Sequence, residues 1–364
     1  MIMANKRIAY IDAMRGFTMI LVVFAHVCHF CLGDSRMGYN AIFILFRLPC
    51  FFMLSGWLFA KYDFRLTGGC GHTGTVPSVS SEANYRGTVP CVTAIIRHKA
   101  MVQLLPTFIF LLLLAPPPEF FHQLGTLKGG YWFTFVLFEF FILYILIERA
   151  GRIWSPILAI AITIASFVYA RYYDSIRTSA VGCQSLIIDV LGFLSVTAWR
   201  LFLFFYLGAW MRRHFEAFIR WTSKPAVILL ITAVFFLIAS TSHKDNLLFE
   251  IFRFYVGGIT GMWMIFTLSR LSASWLERSG VGKPLQYVGT RTLDIYMLHY
   301  FFLPRFLVEY APQLQAYDSR LLEFVVIMMI SLVIVILCLI ASYIIRLSPF
   351  LGHYLFGVNQ KNFK

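Results

Sequence analysis

Residues 10–27 read YIDAMRGFTMILVVFAHV, an apolar run that carries Asp12, Arg15 and His26. Ionisable groups are costly inside a bilayer, so in a membrane span they face the protein interior and mark a substrate or proton path. Arg15 and His26 are eleven positions apart, about 1100° of helix at about 100° per residue, so both side chains point to one side. At 1.5 Å per residue they lie about 16 Å apart along the axis, which suits the two ends of one elongated site. Asp12, three positions before Arg15, is within ion-pair reach on the same helix.

The rest of the chain fixes the environment of that run. Of 364 residues 59% are hydrophobic and only 13% charged, and the mean hydropathy is +0.75, far more apolar than a soluble domain. Runs near the length a bilayer requires occur near 17–32, 41–60, 101–118, 130–148, 153–170, 196–211, 225–241, 248–269, 286–304 and 321–345. The pattern predicts an all-α, polytopic transmembrane bundle of about ten helices in a single domain spanning 1–364. The N-terminal MIMANKR resembles a signal n-region, but Asp12 and Arg15 interrupt the apolar run behind it and no small-residue cleavage site is seen, so it reads as a retained first span.

Lys and Arg flanking the spans stay cytoplasmic. With the N-terminus inside, nineteen of them fall on the cytoplasmic side and seven outside, which puts both termini in the cytoplasm. The net charge of +14 then reads as topology and attraction to anionic lipid, with a cytoplasmic anionic substrate second and nucleic acid poorly supported. The one long polar insertion, 67–94, is rich in Gly, Ser, Thr and Pro and reads as a cytoplasmic loop. Its Cys70 and Cys91 would be reduced thiols there. No soluble catalytic module is expected at either end.

Four stretches carry polar groups. FRLPCFFMLSGWLF (46–59) embeds Arg47, Pro49 and Ser55-Gly56 among aromatics. Pro49 frees backbone groups that a protein-lined cavity would satisfy, and a packing kink with a small-residue contact accounts for Ser55-Gly56 equally well. In IIRHKAMVQLLP (95–106) Arg97, His98 and Lys99 precede Pro106; three basic side chains can hold phosphates, and such clusters also serve as plain membrane anchors. YWFTFVLFEFF (131–141) places Glu139 inside an aromatic span, where it is either protonated or paired with a cation such as Arg200 or Arg253. VGTRTLDIYMLHYFFLP (288–304) sets Thr292, Tyr296 and His299 along one helical face, with Arg291 and Asp294 as an ion pair nearby.

Other signals fall away. In HVCHFC (26–31) Cys28 and Cys31 point away from His26 by about 160° and 140° on a helix, against the convergence zinc requires, so no metal is expected. There is no Walker loop, nucleophile elbow or dinucleotide fingerprint.

YIDAMRG with Arg15 and His26, FRLPCFFMLSG, the basic cluster before Pro106, the YWF of 131–133 and GTRTLDIYMLH together resemble the acyltransferase 3 family of integral membrane acyltransferases over about residues 8–304. The resemblance implies transfer of an acyl group, most often acetyl from cytoplasmic acetyl-CoA, to a hydroxyl of a cell-envelope glycan or its lipid-linked precursor, in the inner membrane. Acetyl-CoA is then a co-substrate and no cofactor is permanently bound. Within it His26 matches the essential histidine, Arg15 its partner arginine and Asp12 the acid of the same motif. Arg97 and Lys99, with His98 between them, match the basic cluster that holds the CoA phosphates. Tyr296 and His299 match the polar face of the late helix.

The chain departs from the family at Arg47, where His is usual, at Gln103, where Arg is frequent, and in the length of 67–94. His26 is expected as the base that deprotonates the acceptor hydroxyl, and Arg15 and Arg47 as contacts to CoA or the oxyanion. Ser55, Trp132, Glu139, Thr292, Tyr296 and His299 are expected to line the acceptor side. A transporter or flippase using the same buried charges for an anionic or glycan substrate is the alternative, against which no inverted repeat between the halves is visible.

Overall fold

The computed structural model describes residues 8–33, 38–60, 92–114, 128–241 and 246–357, with Phe120 and Gln123 besides. Residues 67–91 of the polar loop, including Cys70 and Cys91, lie outside the described residues, as do the flanking charges Lys6, Arg7, Arg36, Lys61, Arg65, Arg86, Lys244, Lys361 and Lys364. All elements among the described residues are helical. In chain order they are α1 (Ala9–Leu32), α2 (Gly38–Phe59), α3 (Val92–Lys99), a π-helical stretch Ala100–Leu104 running into α4 (Leu105–Leu114), α5 (Trp132–Arg149), α6 (Trp154–Ser179) and α7 (Cys183–Phe193). A 3-10 stretch Val196–Leu201 leads into α8 (Phe202–Arg213), followed by α9 (Phe215–Thr222), α10 (Pro225–Ala239), α11 (Leu247–Leu271), α12 (Ala273–Arg278) and α13 (Gly282–Thr290). Then come α14 (Thr292–Leu298), prolonged by a 3-10 turn His299–Phe301, α15 (Ala311–Ala316), α16 (Arg320–Arg346) and α17 (Pro349–Phe356).

Among the described residues six helices are long and apolar enough to cross a membrane, and eight segments qualify if each of two bent pairs counts as one. The bends are 47° between Cys183–Phe193 and Val196–Arg213, and 83° between Phe215–Thr222 and Pro225–Ala239. The two remaining segments of the expected ten fall short for different reasons. α5 has 18 residues and carries Glu139, Glu148 and Arg149. The run expected as one helix over 286–304 is broken: Arg291 leaves helical geometry at φ −112°, ψ 18° and separates α13 from α14. A broken helix exposes backbone groups inside the bundle, the usual setting of a midplane site in membrane proteins.

α1 is buried along most of its length and packs against α2, α11, α12, α13, α14 and α16. A largely apolar helix with neighbours on most of its sides belongs at the centre of a bundle. The approach to α13 is close enough that a Cβ at Gly16 would lie 2.0 Å from the Leu285 carbonyl oxygen, and one at Gly289 1.8 Å from that of Asp12. Gly56 of α2 and Gly208 of α8 meet in the same way. Small residues at such crossings let helices associate by dispersion where lipid supplies no hydrophobic drive.

Two buried carboxylates inside the bundle are paired with arginines. Glu148, 1% exposed, accepts from Ser155 Oγ at 2.9 Å and faces Arg213 at 2.9 Å, and Arg213 also reaches the Tyr144 hydroxyl. Asp294 on α14 takes two hydrogen bonds from Arg346 of α16, at 2.7 and 2.9 Å, and one from Ser342. Arg291, expected as its partner, stands at 4.0 Å. A two-pronged guanidinium bond outcompetes the longer contact, and it clamps α14 to α16.

The π-helical stretch precedes Pro106. Proline has no N–H and its ring crowds the carbonyl four residues back, so the helix widens ahead of it and Leu105 N–H reaches the carbonyl of Ala100.

Candidate functional site

A cavity of about 200 Å³ opens among α1, α2, the start of α5 and α14. Its wall is mainly apolar, from Met19, Val22, Ala25, Leu48, Phe51 and Phe133, with His26, Arg47, Trp132, Tyr296 and the backbone at Gly130 as the polar elements. An apolar pocket with a few converging polar groups is the usual form of a small-molecule site.

His26 is held by a chain of hydrogen bonds that sets its tautomer. His299 Nδ1 lies 3.1 Å from the Ile295 carbonyl and 2.8 Å from that of Tyr296. Carbonyl oxygens only accept, so Nδ1 carries the proton, and in the neutral ring Nε2 accepts. That Nε2 is 2.9 Å from His26 Nδ1, which therefore donates and leaves His26 Nε2 with a lone pair. The ring planes are 22° apart with centroids at 4.8 Å, and His299 is wholly buried. Both tautomers are set by this bonding pattern.

Near His26 Nε2, at 3.3 Å, is the Tyr300 hydroxyl, which also lies 3.2 Å from the Gly130 carbonyl. Tyr296 donates to the same carbonyl at 3.0 Å and accepts from Phe133 N–H at 3.2 Å, while Tyr131 donates to the Met297 carbonyl at 2.8 Å. The turn before α5 is thus bonded to α14 through three tyrosines. Gly130 suits it twice: its φ is +88°, and a Cβ would lie 2.4 Å from the Tyr300 hydroxyl.

His26, Arg47, Trp132 and Tyr296, read from separate stretches of sequence, meet in this cavity, with His299 behind His26. Arg15 and Asp12 do not line it. Arg15 donates to Thr292 Oγ1 at 2.8 Å and lies 3.6 Å from Asp12, so this trio holds α1 against the start of α14. Arg15 and His26 do face the same helix, one at each end of α14. Ser55 donates to the Phe51 carbonyl of its own helix at 2.8 Å, a backbone contact outside the cavity. Glu139 accepts from the Trp199 indole at 2.8 Å, in place of the bond to Arg200 or Arg253 weighed from the sequence.

The basic cluster is also elsewhere. Arg97 and His98 are exposed, and the Lys99 ammonium sits 4.6 Å from the centre of the Phe141 ring. His98 lines a second cavity with residues of α17. Tyr300 and Gly130 are site residues that the sequence reading does not single out. Their signals are the position next to His299 and the turn-forming Gly-Gly ahead of YWF.

A family model described as an acyltransferase domain matches residues 8–345. No curated protein and no solved structure matches the chain.

Proposed function

Because this chain belongs to the acyltransferase 3 family of membrane acyltransferases, we propose that it moves an acetyl or other short acyl group from cytoplasmic acyl-CoA to a hydroxyl of a cell-envelope carbohydrate, with His26 as the general base. The observation that carries this reading is the lone pair on His26 Nε2, left by the bond from its Nδ1 to His299 at 2.9 Å, in a ring that lines the cavity.

A sugar hydroxyl is a poor nucleophile near neutral pH and needs its proton removed as it attacks. In the proposed step that proton passes to His26 Nε2 while the hydroxyl oxygen bonds to the thioester carbonyl carbon. The carbon–sulfur bond then breaks and the proton returns to the leaving thiolate, giving ester and free CoA. As His26 becomes an imidazolium, its Nδ1–H keeps donating to neutral His299, whose own proton is held by two backbone carbonyls. Arg47 is the cation in the cavity wall suited to the oxyanion that develops on the carbonyl. At about 30 Å³ per water, a cavity of about 200 Å³ suits an acetyl thioester and one hydroxyl-bearing carbon, so the larger parts of both substrates extend beyond it. With both termini cytoplasmic, as the charge bias favours, donor and acceptor enter from opposite sides.

Purified protein given acetyl-CoA labelled in the acetyl group, with envelope glycan as acceptor, is expected to release CoA and leave an alkali-labile label on the glycan. Glycan flux without CoA release would instead place the chain among transporters. Glu139, bonded to the Trp199 indole outside the cavity wall, is expected to matter little to the chemistry: Glu139→Gln should keep the initial transfer rate within about threefold, and a hundredfold loss would put that carboxyl in the reaction.

A further inference from the structure

The chemistry at His26 leaves one row of polar groups unused, toward the C-terminal end of α11. There Trp263 Nε1, Thr267 Oγ1 and Arg270 Nε are buried with no hydrogen-bond partner among the described residues. They stand at i, i+4 and i+7 of one helix, within about 60° of one another at about 100° per residue, and so share a face.

That face is turned to α9 and to the bend behind it. The Trp263 ring lies 5.8 Å from that of Phe218 and 5.9 Å from that of Trp221, and Arg270 Nη2 donates to Ser223 Oγ at 2.8 Å. At Ser223 the chain turns by 83° between α9 and α10, which sets α9 across the end of the bundle. A buried threonine in a helix can bond the carbonyl one turn back, as Thr260 does to Val256 at 2.6 Å and Thr222 to Phe218 at 2.9 Å. Thr267, only 3% exposed, makes no such bond.

An indole N–H and a guanidinium Nε–H only donate, so the row calls for a ligand with several acceptor oxygens. Burying three such groups without one is costly. Positions 263 and 270 are about 10 Å apart along the axis at 1.5 Å per residue, more than a single phosphate spans. A phospholipid has the matching layout, with a phosphate at the membrane surface and two ester carbonyls deeper. Leu268 and Leu271, next to Thr267 and Arg270, and Trp221 are exposed, which suits acyl chains. Exposed Arg220 and Lys224 flank Trp221 and Ser223 and favour a negative headgroup.

We propose that α9 and α11 hold one anionic phospholipid between them, with its phosphate on Arg270 and Ser223 and its ester carbonyls on Thr267 and Trp263. Charge bias favours the cytoplasmic leaflet as its source. Because the three donors are buried beneath α9, that short helix shifts outward as the lipid enters, with the bend at Ser223 as its hinge. The site is independent of the transferase reading.

Thermal unfolding of the delipidated full chain in detergent tests this without turnover. Phosphatidylglycerol in mixed micelles should raise the wild-type melting temperature by about 5 °C, and phosphatidylcholine should raise it less. Thr267→Val and Trp263→Phe each remove a donor while keeping most of the volume. Without lipid both should be at least as stable as the wild type, because an unpaired buried group is gone; with phosphatidylglycerol both should lose most of the gain. Arg270→Met should weaken phosphatidylglycerol binding, titrated by native mass spectrometry, about tenfold or more. The assignment is overturned by no gain in the wild type, by equal gains in the variants, or by an equal gain from phosphatidylcholine. An equal gain from inorganic phosphate would make this a site for the free ion and overturn it too. Lower stability of Thr267→Val and Trp263→Phe without lipid would mean that the donors are already satisfied, and would sink the proposal as well.

Discussion

His26→Gln is expected to lower the rate of acyl transfer by about 10³-fold, in the middle of the range that a positioned general base contributes, while leaving the protein folded in the membrane. Glutamine is near in size and retains hydrogen-bonding groups, but it cannot take up a proton near neutral pH. The loss should therefore appear in kcat, with little change in the KM for the donor, because in this mechanism the lone pair acts on the hydroxyl proton during attack. His299 is a positioning residue, and its variants should separate its role from packing. Glutamine at 299 can still accept from His26 Nδ1 through its side-chain oxygen, whereas leucine cannot. His299→Gln should retain at least about tenfold more activity than His299→Leu, in membranes holding equal amounts of folded protein. Full activity in His26→Gln would remove the base assignment, and equal losses in the two His299 variants would reduce His299 to a packing residue.

The sequence made the helical class and several members of the site legible, and physical reasons mark where it stopped. Burying ionisable groups in lipid is costly wherever it happens, so His26, Arg47 and the polar face of 292–299 stand out against apolar surroundings without any knowledge of the fold. What pairs with what is hidden, because the partners lie 273 positions apart at His26 and His299 and 277 at Arg15 and Thr292. The sequence puts Asp12 within reach of Arg15, and the structure has them 3.6 Å apart, but nothing local points to Thr292, to which Arg15 donates. A helical wheel gives a side chain's direction and says nothing of what stands opposite.

The break at Arg291 is illegible for a related reason. Residues 288–299 keep their helical periodicity across it, with Gly289 two positions earlier as the one local weakness. What ends α13 is tertiary: it is pressed backbone to backbone on α1, while α14 is held to α16 by Asp294 and Arg346. The charges on α5 illustrate the converse. Glu148 counts against a span by composition, yet its bonds to Arg213 and Ser155 offset part of the cost that composition assigns to it.

That backbone contact leads to the second large effect: Gly289→Ala should both destabilise the protein and impair transfer. A Cβ there would fall 1.8 Å from the Asp12 carbonyl oxygen, 2.7 Å from its carbon and 3.1 Å from the Gly16 nitrogen. Overpacking a core with one methyl typically costs about 1–3 kcal/mol when side chains can rotate away. Here the obstacles are main-chain atoms of a helix packed against six others, so relief requires α1 and α13 to move apart as rigid bodies, and the cost should reach at least the top of that range. The movement is also felt at the site. Arg291 joins α13 directly to α14, so displacing α13 shifts Thr292 from Arg15 and His299 from His26, bonds now 2.8 and 2.9 Å long. An offset of about 1 Å in catalytic geometry is enough for losses on the order of a hundredfold. Thermal unfolding in detergent and the initial rate in membranes should therefore fall together in Gly289→Ala. The matching control is Gly280→Ala, where a Cβ would meet nothing within 4 Å and both measurements should stay at wild-type values. If Gly289→Ala kept the melting temperature and rate of Gly280→Ala, α1 and α13 would not be in backbone contact, and the anchoring of α14 against α1 would need another cause.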